Sequence, residues 1–391
     1  MNKNHDLLRV LLYALVPLFA LGQVGRLSLF DKPIYVYLHE LLLPIISLLI
    51  ILKYRKDLWN ADYVKIAGLW FVVMLVSLGV SIGNYSEEAN IIALLYLLRL
   101  ITHVGTLILV MYHQSHSSKP IIDFRVIIGL TYWVGASIAV QYVWYPDFRN
   151  ISYLGWDPHF GRAVGLFFDP PLTISVLALL ILLFLIKKIR MLYFLPLFVL
   201  SSLTYSRGGY IAGIVIAFIY GLLYSTKKQI IISLISLIIF FLFLPKGNME
   251  GVNLLRTTSI EARAEDYVKG ITIWIDHPVW GIGYNHIREE KDMFETDKSY
   301  GVYNPSHGST GFHSSFLIIL VTGGVVGLVT FCALLWQIAI RQVFLRYAIA
   351  FLSIISLFDN VLLHPLILLC LIILVASRSK KEQLIHAGKK P

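Results

Sequence analysis

The stretch FLIILVTGGVVGLVTFCALLW, residues 316–336, contains no charged side chain. Such a run belongs in a bilayer or a large core, because a membrane-spanning helix needs roughly 20 apolar residues. Runs of this kind recur near 8–25, 34–52, 64–82, 90–112, 124–144, 170–186, 190–204, 208–225, 230–245, 314–336, 344–358 and 361–377. Strands of a membrane β-barrel would instead alternate in segments of about ten residues. The pattern predicts an all-α polytopic membrane protein of about twelve helices, or about ten if the short seventh and eleventh runs do not cross. No internal repeat or low-complexity tract interrupts it, so residues 1–391 read as a single integral membrane domain.

Charge then fixes orientation. Only 14% of the residues are charged and the mean hydropathy is +0.74, against about 25% charged in a soluble domain. The net charge of +10 is gathered in short links rather than in a nucleic-acid-binding patch. Lys53, Arg55, Lys56 and Lys65, then Lys119 and Arg125, then Lys187, Lys188 and Arg190 alternate with poorly basic links. Lys227, Lys228, Arg341, Arg346 and the tail from Arg378 continue the series. All fall on one side if both termini are cytoplasmic, which is the positive-inside pattern of a multi-pass protein of the cytoplasmic (inner) membrane. The acidic link GNYSEE, 83–88, falls outside. Ala20-Leu21-Gly22 resembles a signal-peptidase site, but later runs already target the membrane and an uncleaved first helix is expected. Cys332 and Cys370 lie inside apolar runs and read as packed thiols.

Three stretches face outward in this topology: 145–169, the tight link TYSRGG at 204–209, and 246–312, a large extracytoplasmic loop expected to fold as a cap. Each carries an arginine. Arg207 stands at the outer end of an apolar helix, where a cation costs at least ~2.5 kcal/mol and is paired, functional or snorkelled to the interface. Behind it Gly209, Gly213, Ala217 and Gly221 form a small-residue stripe suited to close helix packing. Arg263 opens a segment with apolar residues at 268, 271, 274 and 275, a helix that functions in a site or lies on the membrane surface. Asp276-His277-Pro278 ends it, and Gly281-Ile282-Gly283 forms a tight turn where backbone can approach a ligand closely. Arg162 precedes Asp169-Pro170-Pro171, which reads as a helix start.

His313 sits where the long loop re-enters the membrane. Three guanidinium groups and an imidazole on one water-facing side suit an anionic headgroup such as a diphosphate. No Asp-x-Asp motif is present, and Asp292, Glu295 and Asp297 read as a solvated loop, so neither metal nor cofactor is expected. Arg99 and His103 share a helix face, and Asp359 and His364 flank the last span. These four suit either a proton or ion path or buried interhelical pairs.

With these residues assembled, the chain resembles the O-antigen ligase and O-antigen polymerase family of bacterial envelope glycosyltransferases. The likeness rests on T-x-S-R-G-G at 204–209, on the block from Arg263 through HP-x-W-G-I-G-Y-N to Asn285, and on His313, Ser314, Gly324 and Gly327 in the pattern H-[NSQ]-x9-G-x2-[GTY]. The segment R-x-V-G-x-F-x-D-P at 162–170 is similar to the family's earlier outer loop. The resemblance covers about the second half of the chain. It implies a helical bundle with a large late outer loop, and transfer of a glycan from undecaprenyl diphosphate to an acceptor, inverting and metal-independent. It further implies that Arg207 and Arg263 hold the diphosphate and that His313 is the catalytic-site histidine, as general base or as diphosphate ligand. Arg162, Ser206, Gly281, Gly283, Tyr284 and Ser314 are the substrate-binding positions it suggests. The acceptor is a glycan, a lipid or a glycolipid, and a polymerase extending the donor's own glycan fits the same motifs. A protein acceptor has no extra external domain in its favour. A transporter or lipid flippase using Arg99, His103, Asp359 and His364 is the reading from another class, although no inverted repeat supports it. A purely structural scaffold leaves the clustered arginines unexplained.

Overall fold

A computed structural model describes residues 3–29, 34–154, 158–224, 252, 258–296 and 311–379. The predicted ninth span at 230–245, residues 246–251, 253–257 and 297–310 of the predicted cap, Lys227 and Lys228, and the side chains of Asp292, Glu295 and Asp297 lie outside the described residues.

Helix starts follow from side chains that cap them. Ser86, Asp123 and Asp169 stand at the N-termini of α4 (Glu87–Ser115), α5 (Phe124–Trp144) and α6 (Pro170–Ile186), each accepting a bond from a first-turn amide. Pro170 and Pro171 open α6 without losing a helical donor. Preceding these are α1 (Lys3–Ala20), α2 (Leu43–Tyr54) and α3 (Asp62–Ser81). After them come the short α7 (Leu195–Ser202), α8 (Arg207–Tyr224), α9 (Thr258–Asp276) and α10 (Ile287–Thr296). The last three are α11 (Ser315–Ala339), α12 (Val343–Ile355) and α13 (Pro365–Ala376). Helices dominate, and four among the described residues are long and apolar enough to cross a membrane: Asp62–Asn84, α4, α5 and α11. Shorter apolar helices include α6, α12 and α13.

Every residue of α13 from Leu366 to Ala376 is buried, as an all-apolar helix at the centre of a bundle must be. It packs on α4, while α3 packs on α11 and α8 on α12. The basic links gather at one end: Arg341 lies over the Tyr63 ring, Lys187 over the Phe124 ring, and Ile121 bonds the Ala376 carbonyl. The links bearing Arg162, Arg207, His313 and Asp359 lie at the other ends of the same helices.

Two features depart from the predicted spans. The first and second runs are shorter than expected, because residues 26–29 and 34–37 pair as antiparallel strands, β1 (Arg26–Leu29) and β2 (Ile34–Tyr37), with Arg26 opposite Tyr37. Four-residue strands with alternating side chains are too short to stand out between apolar runs. The second departure is in α11, which breaks at Gly324 (φ 62°, ψ −169°). There the carbonyls of Val321 and Thr322 accept from Ile282 and Gly283 at 3.0 and 3.1 Å, and the Val325 amide donates to Pro278 at 2.9 Å. Ser77 adds a hydroxyl bond of 2.5 Å to the Thr322 carbonyl. The bonds a break would orphan are thus exchanged with the 278–283 turn, which satisfies backbone polar groups away from water. Gly281 (φ 70°) and Gly283 (φ 83°) supply the left-handed conformations of that turn. α9 therefore runs beside α11, with Gly270 against Leu317, and the chain returns through α10.

The small-residue stripe of α8 packs only in part. A Cβ at Gly209 would press on Ile174, whereas Gly213 meets no atom within 4 Å among the described residues. Gly323 and Gly327 do face a neighbour, the Met74 sulfur on α3.

A Cβ at Gly324 would overlap the Val279 carbonyl. Gly324→Ala is therefore expected to lower the thermal midpoint in detergent, since backbone strain alone costs about 1–3 kcal/mol. Gly79→Ala, in the last turn of α3 with nothing within 4 Å among the described residues, is expected to leave the midpoint unchanged or raise it.

Candidate active site

The turn before α8 is built by Arg162. Its Nε donates to the Thr204 carbonyl at 2.8 Å and its Nη2 to the Tyr205 carbonyl at 3.2 Å. The Ala163 amide adds a bond to Leu203 at 2.8 Å. Tyr205 takes a left-handed conformation (φ 50°), and Ser206 accepts from the Gly209 amide at 3.4 Å in the manner of a helix cap. Arg162 and Ser206, both buried, thereby place Arg207 at the first turn of α8. The substrate contacts that the resemblance suggested for them compete with these bonds to the turn.

Arg207 has Arg263 and Asp359 as its charged neighbours. Arg263, on α9, donates from Nη2 to Asp359 Oδ1 and from Nε to the Phe358 carbonyl, both at 2.8 Å. Gly208 allows the approach: a Cβ there would stand 3.3 Å from Asp359 Oδ2. Burial raises the Asp359 pKa above the ordinary carboxylate range, and Arg263, then His313, oppose it.

His313 completes the group. Asp266, one turn beyond Arg263 on α9, accepts both from the His313 amide at 3.1 Å and from its Nδ1 at 2.5 Å. Lys291 on α10 holds the other Asp266 oxygen at 2.9 Å, bonds the Gly311 carbonyl at 2.6 Å and lies over the Phe312 ring. Burial disfavours the Asp266 carboxylate, yet His313 and Lys291 outweigh it and keep its pKa below the usual value. The hydrogen bond to Asp266 raises the pKa of His313 against the effect of burial. With Nδ1 the donor, Nε2 is the nitrogen left for chemistry. Ser314 caps α11 through the Leu317 amide and donates to the Ser356 carbonyl, and Ser315 bonds Asn360. Both serines hold the loop that carries Asp359.

The structure thus brings together Arg207, Arg263 and His313, backed by Arg162, Ser206 and Ser314. It separates Gly281, Gly283 and Tyr284 from them. From Arg263 to the end of α9 is about 20 Å at helical rise, and the close approach of the two glycines is to the α11 backbone. Tyr284 has Arg99 for its charged neighbour. Sequence reasoning missed Asp266, although its i+3 spacing from Arg263 puts both on one helix face. Lys291, in a polar segment, gave no signal.

Three residues of a transport relay, Arg99, His103 and His364, gather around His39, while the fourth, Asp359, pairs with Arg263. Arg99 pairs with Glu40 at 2.9 Å, His103 with His39 at 3.1 Å, and His364 with Gln23 at 3.3 Å.

One family comparison bears on the class. Residues 192–332 match the family described as O-Antigen ligase. Through this region the chain is similar to O-antigen ligases. The matched span contains Arg207, Arg263, Asp266, Lys291 and His313, with Arg162 and Asp359 outside it. No curated protein matches the chain. The match and the apolar helices support a membrane protein of polysaccharide biosynthesis, and a glycosyl-transfer enzyme of the ligase or polymerase type is what that family implies.

Neutral imidazole reacts with diethylpyrocarbonate, so peptide-resolved labelling reports the titration of His313. The midpoint is expected above the ordinary histidine value. Asp266→Asn removes the group that favours imidazolium, so the midpoint moves to lower pH. An unchanged midpoint would contradict the Asp266–His313 contact.

Proposed function

We propose that the chain transfers a glycan from undecaprenyl diphosphate to an acceptor hydroxyl at the extracytoplasmic face of the cytoplasmic membrane. The observation that carries this reading is the placing of Arg207, Arg263 and the Asp266-held His313 around one point at the end of the bundle opposite the basic links. By the positive-inside rule the basic end and both termini are cytoplasmic and the arginine end faces out. A polyprenyl donor has its tail in the bilayer and its diphosphate and sugar at that outer level.

Chemistry follows from the groups present. The acceptor oxygen attacks the anomeric carbon from the face opposite the leaving diphosphate, and His313 Nε2 takes the hydroxyl proton. The bond between the anomeric carbon and the diphosphate oxygen breaks, its electron pair stays on the diphosphate, and the anomeric configuration inverts. Arg207 and Arg263 neutralise the charge that develops on the leaving group, the part a metal plays in many diphosphate enzymes. Asp266 holds the imidazole in the required tautomer and stabilises the imidazolium once formed, while Lys291, itself held by the Gly311 carbonyl, fixes Asp266 in place. Asp359 keeps Arg263 extended toward the site. The glycosylated product then names the acceptor, and with it ligase or polymerase.

Purified protein given an undecaprenyl-diphosphate oligosaccharide and a candidate acceptor, with EDTA present, is expected to release undecaprenyl diphosphate. Arg207→Ala, Arg263→Ala and His313→Ala are each expected to lose at least about 100-fold, the scale of one general base or one charge-stabilising donor. Release that is indifferent to all three in folded variants overturns the assignment.

A further inference from the structure

A second cluster of titratable side chains lies on elements that carry none of Arg207, Arg263 or His313. His39, in the turn Leu38–Leu41 before α2, and His103, on α4, face each other with their Nε2 atoms 3.1 Å apart. Both are 1% exposed. Glu40 brings its carboxylate to the same point, so that one ligand atom from each of the three lies within 4.8 Å of the others. We propose that His39, Glu40 and His103 bind a borderline divalent cation of the zinc class, which fastens the turn before α2 to α4 and takes no part in glycosyl transfer.

Three observations carry this. The first is the donor set. Two imidazole nitrogens and a carboxylate suit Zn2+ or Co2+, whereas Mg2+ and Ca2+ select oxygen ligands. Two nitrogens bound at 2.0–2.1 Å to a tetrahedral ion stand about 3.3 Å apart, close to the separation present.

The second is the outer layer of bonds that ligands of this kind require. His103 Nδ1 bonds the Arg99 carbonyl at 2.9 Å, which leaves Nε2 unprotonated and aimed at His39. Arg99 Nε steadies Glu40 Oε1 at 2.9 Å, and the Tyr37 ring stacks on His39 at 5.3 Å. The third is position. One helical turn further along α4, Thr106 bonds Ser47 at 2.8 Å and the Leu43 carbonyl at 3.3 Å. An ion at the histidines extends the same junction between α2 and α4.

A hydrogen bond alone, from His39 Nε2 to His103 Nε2, explains the short distance without an ion. On ion binding the His39 proton moves to Nδ1, and both Nε2 lone pairs turn to the metal. The positive charge of Arg99 opposes a dication. Ionisation of a water in the fourth position offsets it, with release of that water's proton to solvent.

The test uses the full-length, tag-free chain in detergent, stripped with EDTA and desalted. Titration with Co2+ is expected to produce a tetrahedral visible absorption band saturating at a single ion per chain. Zn2+ is expected to displace it and to raise the thermal midpoint. His39→Gln and His103→Gln are expected to lose the band, and His116→Ala, at an exposed histidine, to keep it. Where a variant does not fold, the parent still decides: the X-ray absorption spectrum of bound Zn2+ must show two imidazole nitrogens bound directly to the ion. A parent without the band, a band that survives both substitutions, or a bound ion without two imidazole ligands overturns the proposal.

Discussion

The ion pair of Arg263 with Asp359 is the interaction on which the site depends. Its carboxylate is buried between three segments that the chain brings from far apart: the α8 backbone at Gly208, the loop held by Ser314 and Ser315, and α9. A buried charge pair gains little over an apolar pair of the same shape, but removing one partner costs about 3–5 kcal/mol, because the other charge is left uncompensated. The pair is therefore poor evidence for stability as such and good evidence for a constraint. It fixes the helix that carries both Arg263 and Asp266, and through Asp266 it fixes His313.

A second constraint supports the first. α9 keeps its place because the turn that follows it is bonded into the break in α11. An unbroken α11 would offer no free carbonyls to that turn. Gly281, Gly283 and Gly324 are the conformational requirement for the exchange. The glycine-rich block of the family resemblance thus has a structural account in this chain, about 20 Å of helix away from the arginines. The proposed catalytic groups in turn sit on elements anchored at both ends, which limits how far Arg263 and His313 can drift apart.

Much of this was legible in the sequence, and the limits have physical reasons. α5 and α6 occupy the predicted ranges 124–144 and 170–186 because Asp123 and Asp169-Pro170-Pro171 announce their starts locally. The arginines stood out because a guanidinium at the edge of an apolar run needs a reason. The β1–β2 hairpin and the break in α11 were hidden, since each depends on a partner distant in sequence. The same holds for Asp359, whose place at the mouth of the last span suited a relay until Arg263 was seen beside it. Asp266 was within reach of helix periodicity, whereas Lys291 gains its meaning only from folding back on Asp266. Arg99 and His103 belong to a cross-helix junction with Glu40 and His39, contacts that no spacing rule connects.

The division of labour within the site is the central claim: arginines hold the diphosphate, and His313 moves a proton. Equilibrium binding of undecaprenyl diphosphate, compared with undecaprenyl phosphate, tests it most directly in the parent, Arg207→Ala, Arg263→Ala and His313→Ala. The account predicts a preference for the diphosphate that both arginine variants lose and the histidine variant keeps while failing in turnover. Loss of binding in His313→Ala equal to that of the arginine variants would make the histidine a diphosphate ligand. Equal binding by all four proteins would contradict the account altogether.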